Sequence, residues 1–238
     1  DTRDESTLGV RPEDALVSMK TGVKGIRIGI PQHTFFENVD TEIEKAVMEA
    51  GRVFRDLGAS VENVPYPEAE AVTKMSAVIN GVEAALIHEE RLETQAELMD
   101  PVVGPRMVSE RDYLATDYVK MLRELKELQI SQMETLRDVD VILSPSARIP
   151  AMPVATVDKS LAVYLDFAEQ YITNSNVGNR LGLRGLSLPC GFTSRGLPIG
   201  LLLNGKPFQE AMVLRAGYAY EQATPWKDVF PDLSWAGE

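Results

Sequence analysis

Short apolar runs alternate with longer amphipathic stretches along the chain. The first run, Ile26–Ile30, predicts a buried strand. The stretch after it predicts a helix with an N-cap at Asp40 or Thr41, a capping box from Thr41 to Glu44, and an end at Gly58. The apolar run that follows predicts a second strand. Such a strand–helix–strand unit normally forms a parallel pair with a right-handed crossover.

The remaining segments continue this alternation of strands and helices. The second strand of this unit is predicted at Ser60–Val64, and further strands are predicted at Val139–Leu143, Leu186–Phe192 and Leu197–Leu203. Further helices are predicted at Glu68–Met99 with an interruption near Gly81, from Ser109 to about Arg137, at Leu161–Tyr171 and at Gln209–Gln222. The predicted fold class is therefore α/β, with a mixed β-sheet covered by helices. We expect a single domain over residues 1–238, with a helical cover over about residues 68–137.

The helix predicted to follow Ser109 leaves two interpretations open. Its apolar positions are Leu114, Tyr118, Met121, Leu125 and Leu128. This spacing fits either the seam of a coiled coil or a helix that packs on the core of its own domain. Because the seam fails at Gln132, packing on the core is the favoured interpretation.

Charge and composition exclude several classes of protein. The chain has 24 Lys and Arg against 36 Asp and Glu, a formal net charge of −12, so direct nucleic-acid binding through a broad basic face is not expected. Cys190 is the one cysteine, which excludes an intramolecular disulfide and favours a cytoplasmic location. No apolar run approaches the roughly 20 residues of a membrane-spanning helix, and we predict no membrane span.

Three polar residues follow predicted strands at positions where α/β proteins tend to bind ligands. His33 lies in the loop after the first strand, and Ser144 and Ser146 follow the strand Val139–Leu143. In a parallel unit these positions lie at the carboxyl edge of the sheet. All three are therefore candidate substrate-binding residues. The alternatives are a simple strand exit for the two serines and a loop position without a ligand for the histidine.

The sequence contains no recognisable catalytic or metal-binding motif. The nucleophile elbow Gly-x-Ser-x-Gly and the pair Ser-x-x-Lys are both absent. Cys190 has no cation near it in the sequence that would activate its thiol, so it is interpreted as a buried structural residue. Metal motifs, a dinucleotide fingerprint and a phosphate loop are also absent, and we predict neither a metal nor a cofactor.

Several segments, in this order, resemble the amidase signature family. They are Asp1–Thr7, Gly25–Pro31, Val139–Pro145, Asn179–Phe192, Gly196–Leu203 and Lys206–Glu210. The most specific of them contain the Pro-Cys-Gly sequence around Cys190, the Gly-Leu-Pro-x-Gly hairpin that begins at Gly196, and the Phe-x-Glu entry to the last helix. Arg184 departs from the pattern, since the family usually has Pro there.

The resemblance implies an enzyme that hydrolyses an amide or transfers its nitrogen. Family members resemble one another in a Ser–cis-Ser–Lys triad and in a Gly/Ser-rich loop that stabilises the oxyanion. No such stretch exists in this sequence. We therefore expect the C-terminal portion of an amidase, inactive alone, which supplies scaffold and part of the pocket for a small-molecule amide. Its expected partner is an N-terminal catalytic segment.

The family relation also suggests one further site residue. By analogy with amidotransferase relatives, Arg123 is a candidate clamp for a carboxylate or carbonyl group of the substrate. The alternative is a solvated arginine on a helix surface.

Two other functions stay open. The first is the A-type component of a glutamine-dependent tRNA amidotransferase, in which a partner protein would bind the RNA because this chain is acidic. The second is a non-catalytic domain that binds a small molecule or a partner by itself. A portion of an amidase predicts an exposed apolar sheet face or edge, covered by self-association or by the missing half, whereas a self-contained domain predicts a closed core.

Overall fold

A mixed five-stranded sheet forms the centre of the computed structural model, which describes residues 3–11, 13–101, 104, 107–108, 112–231 and 234. The strands are β1 (Arg27–Pro31), β2 (Ser60–Val64), β3 (Val141–Pro145), β4 (Arg184–Phe192) and β5 (Pro198–Gly205). They lie in the order β2–β1–β3–β5–β4. Strand β1 pairs in parallel with β2 and β3, whereas β5 pairs antiparallel with β3 and β4. The predicted α/β class with a mixed sheet is confirmed.

Helices connect the strands, except that a short turn joins β4 to β5 in a hairpin. The helices are α1 (Ala15–Met19), α2 (Thr41–Asp56), α3 (Pro67–Ile87), α4 (Glu89–Thr94), α5 (Ala115–Thr135), α6 (Val154–Val157), α7 (Leu161–Leu181) and α8 (Glu210–Ala223). Short 3₁₀ turns occur at Glu5–Thr7, Ala96–Leu98 and Trp226–Asp228. Within the described residues, none of these helices combines the length and the apolar character that crossing a membrane requires.

The sheet separates two hydrophobic cores. Because successive side chains of a strand point to opposite faces, β3 contributes to both. Val141 and Leu143 pack into the core formed with α2 and α8, whereas Ile142 packs into the core formed with α3, α5 and α7. Helices therefore cover both faces of the sheet, and the middle of α7 lies close to the carboxyl end of β3, where Asn174 donates a hydrogen bond of 2.7 Å to the carbonyl of Pro145.

The first predicted helix is confirmed, but its start differs in one detail. Asp40 is the N-cap, and its side chain accepts a hydrogen bond of 2.8 Å from the backbone N–H of Glu42. Thr41 is already the first helical residue, so the predicted capping box from Thr41 to Glu44 is wrong. Gly58 follows the helix with φ +92°, a left-handed conformation that favours glycine and that ends the helix as predicted.

Two helix boundaries in the second core differ from prediction. Helix α3 runs through Gly81 and ends at Ile87, so the interruption lies at His88 instead. Helix α7 continues beyond Tyr171 to Leu181. The predicted helix was too short because buried polar residues in the last turns hide the apolar periodicity on which the prediction relied. The predicted cap Ser109 lies outside the described residues.

Helix α5 packs on the core of its own chain, as the favoured interpretation predicted. Leu125 is buried, and Tyr118, Met121 and Leu128 pack against the same core. Gln132 interrupts the apolar seam because it is the centre of a buried hydrogen-bond network.

The network around Gln132 joins three elements. Its Oε1 accepts a 2.8 Å hydrogen bond from the hydroxyl of Tyr66, and its Nε2 donates at 2.6 Å to the backbone carbonyl of Leu181. Burial, together with the charge of Glu68, raises the pKa of Tyr66, so its phenol stays protonated and can donate. The network therefore fixes how α5 meets α7 and the start of α3.

We expect Gln132→Leu to lower the free energy of unfolding by about 2–3 kcal/mol, since it leaves the Tyr66 hydroxyl and the Leu181 carbonyl buried without partners. Urea unfolding measures the effect. Adding Tyr66→Phe to Gln132→Leu removes one of the two unpaired groups, so the double variant should lose less than the sum of the single losses. Strictly additive losses would contradict this coupling.

Candidate functional site

The carboxyl ends of β1 and β3 bring together three of the predicted site residues. Ser144 and Ser146 lie at the end of β3, and His33 lies in the exposed loop that follows the neighbouring strand β1. Ser144 is fully buried, and its Oγ has no hydrogen-bond partner among the described residues. Ser146 Oγ lies 2.7 Å from Ser187 Oγ on β4. Their role in binding a substrate stays a prediction.

Ser146 and Ser187 form a hydroxyl pair next to a glycine of β5. A Cβ placed at Gly200 would lie 2.8 Å from Ser146 Oγ, so position 200 on β5, beside the two hydroxyls, must be glycine. On the same face, alternate residues of the end strand β4 are exposed, namely Gly185, Ser187 and Pro189. Within the described part of the chain, neither hydroxyl has a basic side chain as a hydrogen-bond partner. The pair is therefore a polar contact and not a nucleophile with its base.

Arg148 is a buried cation at this edge that sequence reasoning missed. The residue is 6% exposed, and its guanidinium donates to the backbone carbonyl of Thr34 and, at 3.4 Å, to Oδ1 of Asn174. No carboxylate among the described residues lies within ion-pair distance of it. Burial lowers the pKa of Arg148, and the more distant charges of Glu37 and Glu169 oppose that shift.

Asn174 completes the same cluster from α7. Its Nδ2 donates to the backbone carbonyls of Phe35 at 3.0 Å and Pro145 at 2.7 Å. The side chain thus ties α7 to the loop after β1 and to the end of β3. Thr34, which this cluster holds, has φ +58°, an unfavourable conformation for a β-branched residue that persists only where its surroundings fix it.

The backbone of Arg148 adds two further ties. Its N–H donates to the carbonyl of Gln170 at 3.1 Å, and its carbonyl accepts from the N–H of Asp40 at 2.8 Å. The cluster of Arg148, Asn174 and Thr34 therefore holds the loop that carries His33 in one conformation. An arginine just after a strand exit, between Ala147 and Ile149, was the signal that could have pointed to it.

A groove between α3 and α7 lies on the other side of α7 from this cluster. Its volume is about 300 Å³. Side-chain amides and hydroxyls from both helices line it, with apolar residues between them. They include Thr73, Asn80, Thr173 and Asn176, with Ala77, Leu165 and Ile172. Glu169 is the one charged residue of the described lining, and its charge also acts on Arg148 across the helix.

Arg123, the fourth predicted site residue, does not meet the others. Its side chain is exposed on the outer surface of α5, and that helix contributes no residue to the groove. Cys190 is buried in the core, where burial raises the pKa of its thiol to about 12. At neutral pH this thiol stays protonated, which makes it a poor nucleophile. No group of acidic, histidine or cysteine side chains in the described residues could hold a metal ion.

Comparisons of the sequence with known proteins give one consistent family. A family model described as Amidase matches residues 1–214. An amidase of Pseudomonas putida is 36% identical over 227 residues, covering 91% of this chain and 47% of that protein. The A-type component of the glutamyl-tRNA(Gln) amidotransferase of Geobacter sp. (strain M21) is 29% identical over 251 residues, covering 95% of this chain and 51% of that protein. The chain spans about half the length of these curated relatives.

Solved structures share the fold. The A-type component of the glutamyl-tRNA(Gln) amidotransferase of Thermotoga maritima superposes with a TM-score of 0.76 at 23% identity, over 97% of this chain and 50% of that chain. A 6-aminohexanoate cyclic dimer hydrolase superposes with a TM-score of 0.79 at 17% identity, over 94% of this chain and 50% of that chain. At these identities the likeness concerns the fold alone.

Proposed function

Since the chain belongs to the amidase family, we propose that it supplies the scaffold and part of the substrate pocket of an enzyme that hydrolyses a small-molecule amide, and that it is inactive alone. The observation that carries the proposal is the groove between α3 and α7, which lies across α7 from the buried cluster of Arg148, Asn174 and Thr34.

The groove has the chemistry that an amide substrate needs. An amide presents one carbonyl acceptor and up to two N–H donors, and the side-chain amide of Asn176 offers both kinds of partner. The side-chain oxygen of Asn80 already accepts a hydrogen bond from the guanidinium of Arg180, so Asn80 offers mainly its N–H donors. The apolar residues between them suit the carbon chain of the acyl group. Glu169 is the one charged residue of the described lining, and the guanidinium of Arg180 contacts the lining residue Asn80, so one charge of each sign lies at the groove and a neutral substrate is favoured.

The absence of a nucleophile with its base among the residues that the structure describes supports inactivity of the chain alone. Acyl transfer at an amide needs an activated nucleophile and donors for the oxyanion. The sequence has no Gly/Ser-rich stretch of the kind the family uses, and the Cys190 thiol is buried and protonated. In this proposal a nucleophile-bearing segment of an amidase is the partner. The exposed face of the end strand β4 at Gly185, Ser187 and Pro189 supports docking there.

The test assays the purified chain and a hybrid enzyme side by side. The hybrid replaces the matching half of the Pseudomonas putida amidase with this chain. We expect no turnover of aliphatic, aromatic, ureido or aminoacyl amides by the chain alone, and measurable hydrolysis by the hybrid. Turnover by the chain alone that disappears on mutating Ser144, Ser146, Ser187 or Cys190 would refute the proposal. Turnover that survives replacement of Cys190 and of all the serines of the chain would identify a contaminant.

Several further relatives of the chain favour a second candidate function. The A-type components of the glutamyl-tRNA(Gln) amidotransferases of several bacteria are 28–32% identical over 93–98% of this chain. In that case the chain would act within an assembly whose partner binds the tRNA, since its own net charge is −12. A second hybrid, in which this chain replaces the matching half of an amidotransferase A-type component, separates the two candidates. Glutamine-dependent amide transfer to a charged tRNA by that hybrid within its complete assembly would favour the second candidate.

A further inference from the structure

Helix α5 carries a second apolar stripe that no described residue of the chain covers. Val119, Leu122, Ile130 and Met133 are 46%, 38%, 64% and 43% exposed. At 3.6 residues per turn, the stripe lies about 100° around the helix from the face that Leu125 buries. A helix with two apolar faces normally packs on two partners, and only one of them is the core of this chain.

The stripe is symmetric about Lys126. Val119 and Met133 are equally far from Lys126 along the helix, and so are Leu122 and Ile130. Two α5 helices packed antiparallel, with Lys126 at the two-fold axis, therefore place Val119 against the partner's Met133 and Leu122 against the partner's Ile130. The apolar pattern is complementary to itself in that register, as a symmetric interface requires.

The charges beside the stripe fit the same register. Arg123 and Glu127 are exposed on one flank of the stripe and, in the described structure, make no ion pair with each other. In the antiparallel register Arg123 lies two residues, about 3 Å along the axis, from the partner's Glu127, and the symmetry repeats this pair. Lys120 and the partner's Glu134 are spaced in the same way, but each already forms an ion pair within its own chain, with Asp117 and Arg137 respectively. The register therefore rests on Arg123 and Glu127. In a parallel pair this flank would face the opposite flank of the partner, and these contacts would be lost.

We propose that α5 is the surface through which two copies of this chain associate as an antiparallel dimer. This proposal does not depend on the proposed function. One helix stripe buries an interface at the small end of the range for specific complexes, and the two Lys126 ammonium groups meet at the axis. The dimer is therefore weak, and its population depends on protein concentration.

Cysteine cross-linking tests the register directly on the full chain. Lys126→Cys should form a covalent dimer with a short thiol-specific cross-linker, because the two copies of residue 126 meet at the axis. Val119→Cys alone should not, whereas a mixture of Val119→Cys and Met133→Cys chains should cross-link to each other. The unsubstituted chain is the matched control, since Cys190 is buried. Cross-linking of Val119→Cys to itself, or none at position 126, would overturn the proposal.

Charge reversal tests the polar contacts by sedimentation equilibrium. Arg123→Glu and Glu127→Arg should each weaken dimerisation by about tenfold, because like charges then face each other twice, and the double variant should restore it. Lys126→Ala should strengthen dimerisation several-fold, since it removes the repulsion at the axis. All three side chains are exposed, so circular dichroism should show an unchanged fold. A chain that stays monomeric at every concentration, also with Lys126→Ala, would refute the dimer and leave this surface to another partner.

Discussion

Replacing Asn174 by Ala should lower the free energy of unfolding by about 3–5 kcal/mol. The substitution leaves the carbonyls of Phe35 and Pro145 without their donor, and each such buried group costs about 1–3 kcal/mol. It also removes the acceptor that faces the buried guanidinium of Arg148. Urea unfolding followed by circular dichroism gives the free energy.

The neighbouring residue offers a matched control for Asn174. Ser175 is exposed on the same helix, and its hydroxyl bonds only to the carbonyl of Ile172 in that helix, so Ser175→Ala should change stability by less than about 0.5 kcal/mol. Hydrogen exchange should show faster opening of the loop after β1 in Asn174→Ala but not in Ser175→Ala. Equal stabilities of the two variants would mean that the cluster around Arg148 does not hold the loop.

Replacing Phe54 by Ala should lower the free energy of unfolding by a comparable amount, about 3–5 kcal/mol. Phe54 lies in the core between the sheet and helices α2 and α8. Phe54 is fully buried, and its ring stacks on that of Tyr220 with the centroids 5.5 Å apart. Removing a ring from such a position loses both the burial of its apolar area and the packing around the cavity that remains. The measurement is again the free energy of unfolding in urea.

Two comparisons show whether the loss at Phe54 comes from the cavity. Phe54→Leu refills most of the space and should lose clearly less than Phe54→Ala. Met48 lies on the same helix but is 40% exposed, so Met48→Ala should cost less than about 1 kcal/mol. A loss at Phe54 no larger than that at Met48 would contradict the packing described for this core.

The site was accessible to sequence reasoning only where it depends on local pattern. The ends of β1 and β3 follow from short apolar runs bounded by proline, so the positions of His33, Ser144 and Ser146 at the carboxyl edge could be predicted. Arg148 and Asn174 were missed because they become neighbours only through the packing of α7 on the sheet. The groups that they bind are the backbone carbonyls of Thr34, Phe35 and Pro145, and a pattern of side chains along the sequence cannot indicate a contact to a backbone carbonyl.

By itself the sequence determined the five strands, the parallel unit of β1 and β2, the start of α2 near Asp40 and the relation to the amidases, since these depend on local periodicity, caps and motifs. The tertiary structure alone decided three other features. It extended α7 to Leu181, where buried Thr173 and Asn174 hide the helical period. It assembled the cluster around Arg148. On α5 it buried one apolar stripe and exposed the other. Either stripe of such a helix could face the core, and the shape of the neighbouring elements decides which one does.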